Sequence, residues 1–261
     1  MCTLLLWKRE HPRYALVAAA NRDEYLDRAS TAPQNLDADP LVVGGRDEVA
    51  GGTWFAVNEA GLVVAVTNRR GVGAHDPSRR SRGVLVKQVA HSRTYAQALE
   101  TVATIDALAY NPFILLIADA NDAAVVHAGA DGIRVTTIPD GAHAITNWDL
   151  DAQQPEKAAR ALRIARATSL RADDDAPAIA RRVHATLADH GAIDGGDGSD
   201  DGLCVHRTAS SYGTRSSTMA FLGAFPADTA LFHAEGPPCI ATLDDVSALL
   251  RHESRAPCAK Q

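Results

Sequence analysis

The first twenty-four residues constrain this chain more than any other stretch. Met1-Cys2-Thr3-Leu4-Leu5-Leu6-Trp7 is followed by a polar connection, Lys8 to Arg13, that contains Pro12. A second apolar run, Tyr14 to Ala20, then ends in Asn21-Arg22-Asp23-Glu24. Two short apolar runs around a polar, proline-bearing connection predict a β-hairpin. In an antiparallel pair the end of the second strand lies beside the start of the first. Asn21, Arg22 and Asp23 are therefore expected next to Cys2.

That placement has chemical content. If Met1 is removed, Cys2 carries a thiol and a free α-amine on one residue. The reference pKa values are about 7.7–8.0 for the amine and about 8.5 for the thiol, so the amine can serve as general base for its own side chain. The Arg22 guanidinium is expected to depress the thiol pKa and favour the thiolate. The Asp23 carboxylate can orient and hold the ammonium form. The alternative is a small buried hydrophobe at a strand start, with Arg22 and Asp23 as a surface pair.

The chain has 261 residues, compatible with one large domain or two small ones, and with 46% apolar and only 5% aromatic residues its core should be close-packed and aliphatic. A net charge of −6 argues against a general nucleic-acid or anionic-membrane binder. Cys2, Cys204, Cys239 and Cys258 are far apart, and Cys204-Val205-His206 is too little for a zinc site, so no metal or cofactor is expected. A reduced, cytoplasmic chain is the simplest reading. Thr3 to Trp7 is too short for a signal-peptide core, and no stretch approaches a membrane span.

Strands are expected at Leu41–Gly44, Thr53–Asn58 and Gly61–Thr67. The run Leu62-Val63-Val64-Ala65-Val66 is apolar on both faces and should be central. Tyr25 to Pro40 reads as a loop over the site mouth. Helices are expected at Arg82–His91 and Thr94–Val102. Strands follow at Phe113–Ala118, Ala123–Ala128 and Ile133–Ile138, with Ala142–Thr146 closing the same sheet at Asn147. Pro155–Ala167 and Pro177–His190 are amphipathic helices. Gly191–Gly202 is Gly/Asp-rich and irregular. Strands return at Met219–Leu222 and Leu231–Ala234, Asp244–His252 makes a last helix, and 253–261 is a flexible tail on a single domain spanning 1–252. This order fits two packed antiparallel sheets with helices outside.

Asn68 and Asn147 each end a strand, where a side-chain amide can donate to an oxyanion or simply make a turn. Arg215, just before Ser217-Thr218, is placed at a strand mouth to grip an anion, or is a surface arginine. Trp54, after Gly51-Gly52-Thr53, is a pocket wall or a core residue. Arg69, Arg70, Arg79, Arg80 and Arg82 form a basic cluster beside Asn68, either a solvated face or an electrostatic rim for an anionic substrate. His127, His143, His184, His206 and His233 are scattered and receive no role. Nucleotide-binding and serine-hydrolase motifs do not occur.

Met1-Cys2-Thr3-Leu4 with Ala19 to Glu24 resembles the NRDE family, also called the transport-and-Golgi-organisation family. Gly44-Gly45-Arg46-Asp47, Gly51-Gly52-Thr53-Trp54, Thr67-Asn68-Arg69, Ser81-Arg82-Gly83, Thr146-Asn147, Tyr212 to Thr218 and Glu235-Gly236-Pro237-Pro238-Cys239 continue the resemblance in order over nearly the whole chain. Phe55-Ala56 and Pro112-Phe113-Ile114 depart from the family pattern. The family is similar in turn to N-terminal-nucleophile cysteine hydrolases such as the penicillin V and bile-salt amidases. The resemblance implies an α+β fold, a four-layer αββα sandwich. It implies a hydrolase cleaving a non-peptide C–N amide through a Cys2 acyl-enzyme, with Arg22, Asp23, Asn68, Asn147 and Arg215 in the catalytic set and Trp54 and Arg69 binding a small anionic or lipid-like substrate. The alternative it carries is a non-enzymatic lipid or haem carrier.

Overall fold

In the computed structural model, residues 2–191 and 201–251 are described. Most of the Gly/Asp-rich stretch and the whole tail from 253 lie outside them. The hairpin is as expected: β1 (Thr3–Lys8) pairs with β2 (Leu16–Tyr25), with Thr3 opposite Asn21. The far edge of β1 pairs with β10 (Gly141–Ile145), and that of β2 with β12 (Tyr212–Leu222). β13 (Ala230–Glu235) and the short β14 (Asp244–Asp245) extend this sheet, and β11 (His206–Arg207) pairs with the start of β12.

The second sheet is a meander in chain order: β3 (Ser30–Ala38), β4 (Leu41–Asp47), β5 (Phe55–Asn58), β6 (Val63–Asn68), β7 (Phe113–Ala118), β8 (Ala123–Gly129) and β9 (Gly132–Thr137). β6 is its middle strand, as its two-sided apolar run predicts. The sheets face each other through Leu4, Leu6, Leu16 and Ala18 on one side and Val43, Val57, Val63, Ala65 and Ile114 on the other. Alternate residues point outward. Leu5, Trp7 and Val17 pack under α3 (Glu156–Ala167) and α4 (Ala176–Leu187). Val64, Leu115 and Ile117 pack under α1 (Arg82–Ala90) and α2 (Tyr95–Ala103). These are four layers, αββα, with three cores. Each fully buried leucine contributes roughly 1.5–3 kcal/mol, so strands buried on both faces anchor both interfaces at once. Among the described residues no helix is long and apolar enough to cross a membrane.

Four expectations are corrected. Tyr25–Pro40 is not a loop, because Ser30–Ala38 forms the edge strand β3. Its half-exposed, polar sequence carries no apolar period, and register irregularities at Thr31/Gln34 and Asn35/Asp37 accommodate Pro33. Gly141–Ile145 does not close the meander: β9 ends that sheet as an exposed edge, and the chain crosses at Pro139-Asp140 to pair with β1. β12 begins at Tyr212, well before the expected Met219. The last helix is replaced by β14 and a 3-10 turn, Ser247–Leu250, because Val246 donates its N–H to the Leu231 carbonyl (2.9 Å) and Ser247 Oγ accepts from Leu231 N (2.9 Å).

Candidate functional site

The site gathers where β1 begins, β2 ends and β12 enters the sheet. Cys2 is half-buried immediately before β1, and the Asp23 backbone N–H lies against its sulfur. Arg22 and Asp23 are each 4% exposed. Successive strand residues point to opposite faces, and here the alternation separates charge. Arg22 turns into the sandwich, its guanidinium carbon 4.3 Å from the Trp54 ring centroid and Nη1 donating to Ser30 Oγ (3.3 Å). Asp23 turns to the helical side, where Oδ2 meets Lys157 Nζ of α3 at 3.2 Å and Oδ1 accepts from Thr214 Oγ1 at 2.7 Å. Asn21, on the same face as Asp23, donates Nδ2 to the carbonyls of Leu187 and Leu203, both at 2.9 Å. Opposite them on β12, a register shift between Thr214 and Ser216 sets Arg215 in a bulge.

The electrostatics correct one expectation. Burial raises the Cys2 thiol above its ordinary value, and the nearby Asp23 charge adds to the rise; the amino-terminal charge, the Asp23 N–H and, least, Arg22 oppose it without prevailing. Arg22 is itself desolvated, which lowers its pKa, with Cys2, Glu24 and Asp47 acting to raise it. No carboxylate among the described residues stands at ion-pair distance from it. Arg82 is the second cation here. Burial lowers its pKa, Cys2 is the first group opposing that, and Nη1 donates to the Pro112 carbonyl (3.1 Å).

The Ser81-Arg82-Gly83 block explains that placement. Ser81 caps α1 by accepting from Gly83 N (3.2 Å), and Thr53 N donates to Gly83 O (3.0 Å). A Cβ on Gly52 would lie 2.2 Å from the Gly83 carbonyl carbon, so only glycine lets the Trp54 strand reach the helix start. Gly45 makes similar room for the Trp54 indole, 2.5 Å from where its own Cβ would stand.

Asn147 is buried and joins the two sheets: its Nδ2 donates to the Asn68 carbonyl at 2.7 Å. The Asn68 residue is exposed, and its backbone oxygen makes the contact. Asn147 lines a cavity of about 240 Å³ with Arg70, Trp148, Pro155 and Lys157. Arg69, expected at the substrate, forms a bidentate pair with Asp131 (2.7 and 2.8 Å), a partner on the β8–β9 turn that the sequence could not bring near. Arg215 lies within β12 rather than at its mouth, and its Nη1 donates to the carbonyls of Tyr25, Leu26 and Arg28, holding the chain where it leaves β2.

Sequence reasoning missed Lys157, Thr214 and the special position of Arg82. Lys157 continues the Ala161–Ala165 stripe at spacings of four, so a lysine on a buried helix face was the available signal. Beyond Thr214, whose Oγ1 also accepts from Val205 N (2.8 Å), lie Cys204, His206, Cys239 and His190 with metal-ligating atoms within 4.8 Å of one another.

The family described as Transport and Golgi organisation 2 matches residues 1–224. The mouse (Mus musculus) Transport and Golgi organization 2 homolog is 30% identical over 109 residues, 41% of this chain; the match spans 39% of that relative. Penicillin V acylase from Agrobacterium tumefaciens superposes with a TM-score of 0.61 at 15% identity, over 97% of this chain and 89% of its own. The Caenorhabditis elegans ortholog of N-acylethanolamine-hydrolyzing acid amidase gives 0.57 at 12%, over 85% and 92%. Conjugated bile acid hydrolase from Clostridium perfringens gives 0.52 at 12%, over 97% and 95%. At these identities the likeness is one of fold, that of the N-terminal-nucleophile hydrolases.

Proposed function

The chain belongs to the Transport and Golgi organisation 2 family, and on that premise we propose that it is an N-terminal-nucleophile hydrolase acting on a non-peptide C–N amide of a small anionic or lipid-like molecule. The observation that carries this reading is the position of Cys2 at the head of β1, its sulfur against the Asp23 N–H and within electrostatic reach of Arg22 and Arg82.

Removal of whatever precedes Cys2 gives it an α-amine. The amine takes the thiol proton, sulfur bonds to the carbonyl carbon, and the electron pair moves to the carbonyl oxygen. Asn147 Nδ2 carries two N–H donors. One is committed to Asn68 O, which leaves the second for the oxyanion. Collapse breaks the C–N bond, and the α-ammonium returns its proton to the leaving amine. Water then hydrolyses the thioester by the same exchange. Asp23, fixed by Lys157 and Thr214, holds the ammonium form. Arg22, stacked on Trp54, and Arg70 at the cavity attract an acidic group on the substrate.

The test is intact mass after incubation with a panel of acyl amides and esters. The expected result is a mature chain beginning at Cys2 that gains one acyl mass on that residue. A purified chain that retains the residue before Cys2, or no acyl adduct and no turnover with any substrate, overturns the reading. The alternative on the same fold is a lipid or haem carrier, since a fold does not fix its function. That reading expects saturable haem or lipid binding indifferent to Cys2→Ser.

A further inference from the structure

We propose that Cys204, His206, Cys239 and His190 bind one divalent metal ion of the zinc type in a closed Cys₂His₂ site. Zinc takes thiolate sulfur at about 2.3 Å and imidazole nitrogen at about 2.0–2.1 Å in tetrahedral geometry. A tetrahedron with those bonds has edges of about 3.8 Å between sulfurs and about 3.6 Å between sulfur and nitrogen. Here Cys204 Sγ and Cys239 Sγ are 3.7 Å apart. His206 Nε2 stands 3.4 Å from Cys204 Sγ and 3.3 Å from Cys239 Sγ. Three edges thus match a metal-centred polyhedron within a few tenths of an ångström. The His190 ring stacks on that of His206, centroids 5.1 Å apart and planes at 12°, and its ligating atom falls within the same 4.8 Å set.

The ligands come from separate segments. His190 follows α4, whose last helical residue is Leu187; Cys204 and His206 flank Val205 at the entry to β11; Cys239 sits in the turn after β13. Cys204 N donates to Asp189 O (2.8 Å), and the His184 side chain contacts the Ala241 carbonyl through Nε2 (3.1 Å), so these two contacts tie all three segments together. Binding deprotonates both thiols and releases two protons, with the histidines neutral. Four protein ligands leave no open position, so the ion is structural. It would pin the segment whose Val205 N–H fixes Thr214, and through Thr214 the Asp23 carboxylate. The spacing argument that excluded a metal looked for ligands close in sequence; His190 and Cys239 are remote in it.

The experiment is metal analysis of the full chain purified under reducing conditions without chelator, then replacement by cobalt(II). One zinc-type ion per chain is expected, with the intense visible bands of tetrahedral cobalt and thiolate charge transfer in the near ultraviolet. Cys2→Ser should keep one equivalent, while Cys239→Ser and His206→Ala should lose it at least tenfold in a chelator competition. Because the cobalt spectrum is read on the unmodified chain, misfolding of a variant does not blunt the test. Absence of tetrahedral cobalt bands, or metal retained by both ligand variants, overturns the site. So does a Cys204–Cys239 disulfide as the main species by non-reducing mass.

Discussion

Two groups of cysteine sulfur lie on either side of Thr214, and their surroundings differ. On one side Cys2 has a backbone N–H against its sulfur and feels the charges of Arg22 and Arg82. On the other, Cys204 and Cys239 face each other and an imidazole. Burial raises the thiol in both places, and for Cys204, with Cys239 beside it, to about 12. What differs is the compensation each site offers. Fixed cations can stabilise one thiolate that remains mobile enough to attack. Converging sulfur and nitrogen atoms can share thiol protons or hold a positive centre between them, and a thiolate bound to such a centre is no longer a nucleophile. The chemistry of a cysteine here is decided by the strand ends around it.

The largest expected effect separates the two groups. Cys2→Ser should lower turnover by at least ~10³ while leaving thermal stability and metal content unchanged. Loss of metal from that variant would join the two sites and end the contrast. Asp23→Asn comes next: it leaves Lys157 buried beside an uncharged amide and should cost about 3–5 kcal/mol in urea unfolding, with Asp23→Asn/Lys157→Met recovering part of it. A loss below ~1 kcal/mol would mean that the pair is solvated and holds nothing in place. A smaller effect concerns pH. Because the Cys2 thiol is raised, its iodoacetamide rate in the chain that keeps Met1 should climb only above the ordinary thiol range near 8.5. Trimming to Cys2 places an ammonium on the same residue and should move the profile to lower pH, about tenfold faster near neutrality. Identical profiles would remove the amine from the mechanism. The smallest effect is Arg69→Ala. Its pair with half-exposed Asp131 is far from both sulfur groups in role, and stability should change by less than about 1 kcal/mol, with turnover unaltered; a large rate loss would restore Arg69 to the substrate.

The hairpin and the central strand β6 were legible because burial on two faces writes uninterrupted apolar runs. β3 was not, since an edge strand has one face and one edge in water and no pattern is demanded of it. The β10 crossover was hidden because an apolar strand does not say which sheet it joins. Within the site, Arg22, Asp23 and Trp54 were readable from the hairpin and the glycines near them. Arg82 was lost among neighbouring arginines that the fold sends elsewhere: Arg79 donates to the Tyr110 carbonyl and Arg80 lies over the Tyr110 ring. The histidines resisted for the same reason. His206 acquires meaning only when the end of α4 and the turn after β13 arrive beside it.

The alternation of Arg22 and Asp23 makes the sheet a partition between a chamber holding the guanidinium and a chamber holding the carboxylate and its lysine. A partition of this kind is sensitive to parity. One residue inserted in the connection before Tyr14 would lengthen a turn and change nothing beyond it. The same residue inserted within β2 would send the arginine against Lys157 and the aspartate onto the Trp54 face. Insertional variation should therefore be tolerated before Tyr14 and refused between Leu16 and Asp23, with the boundary set by which wall of the sheet each charge must face.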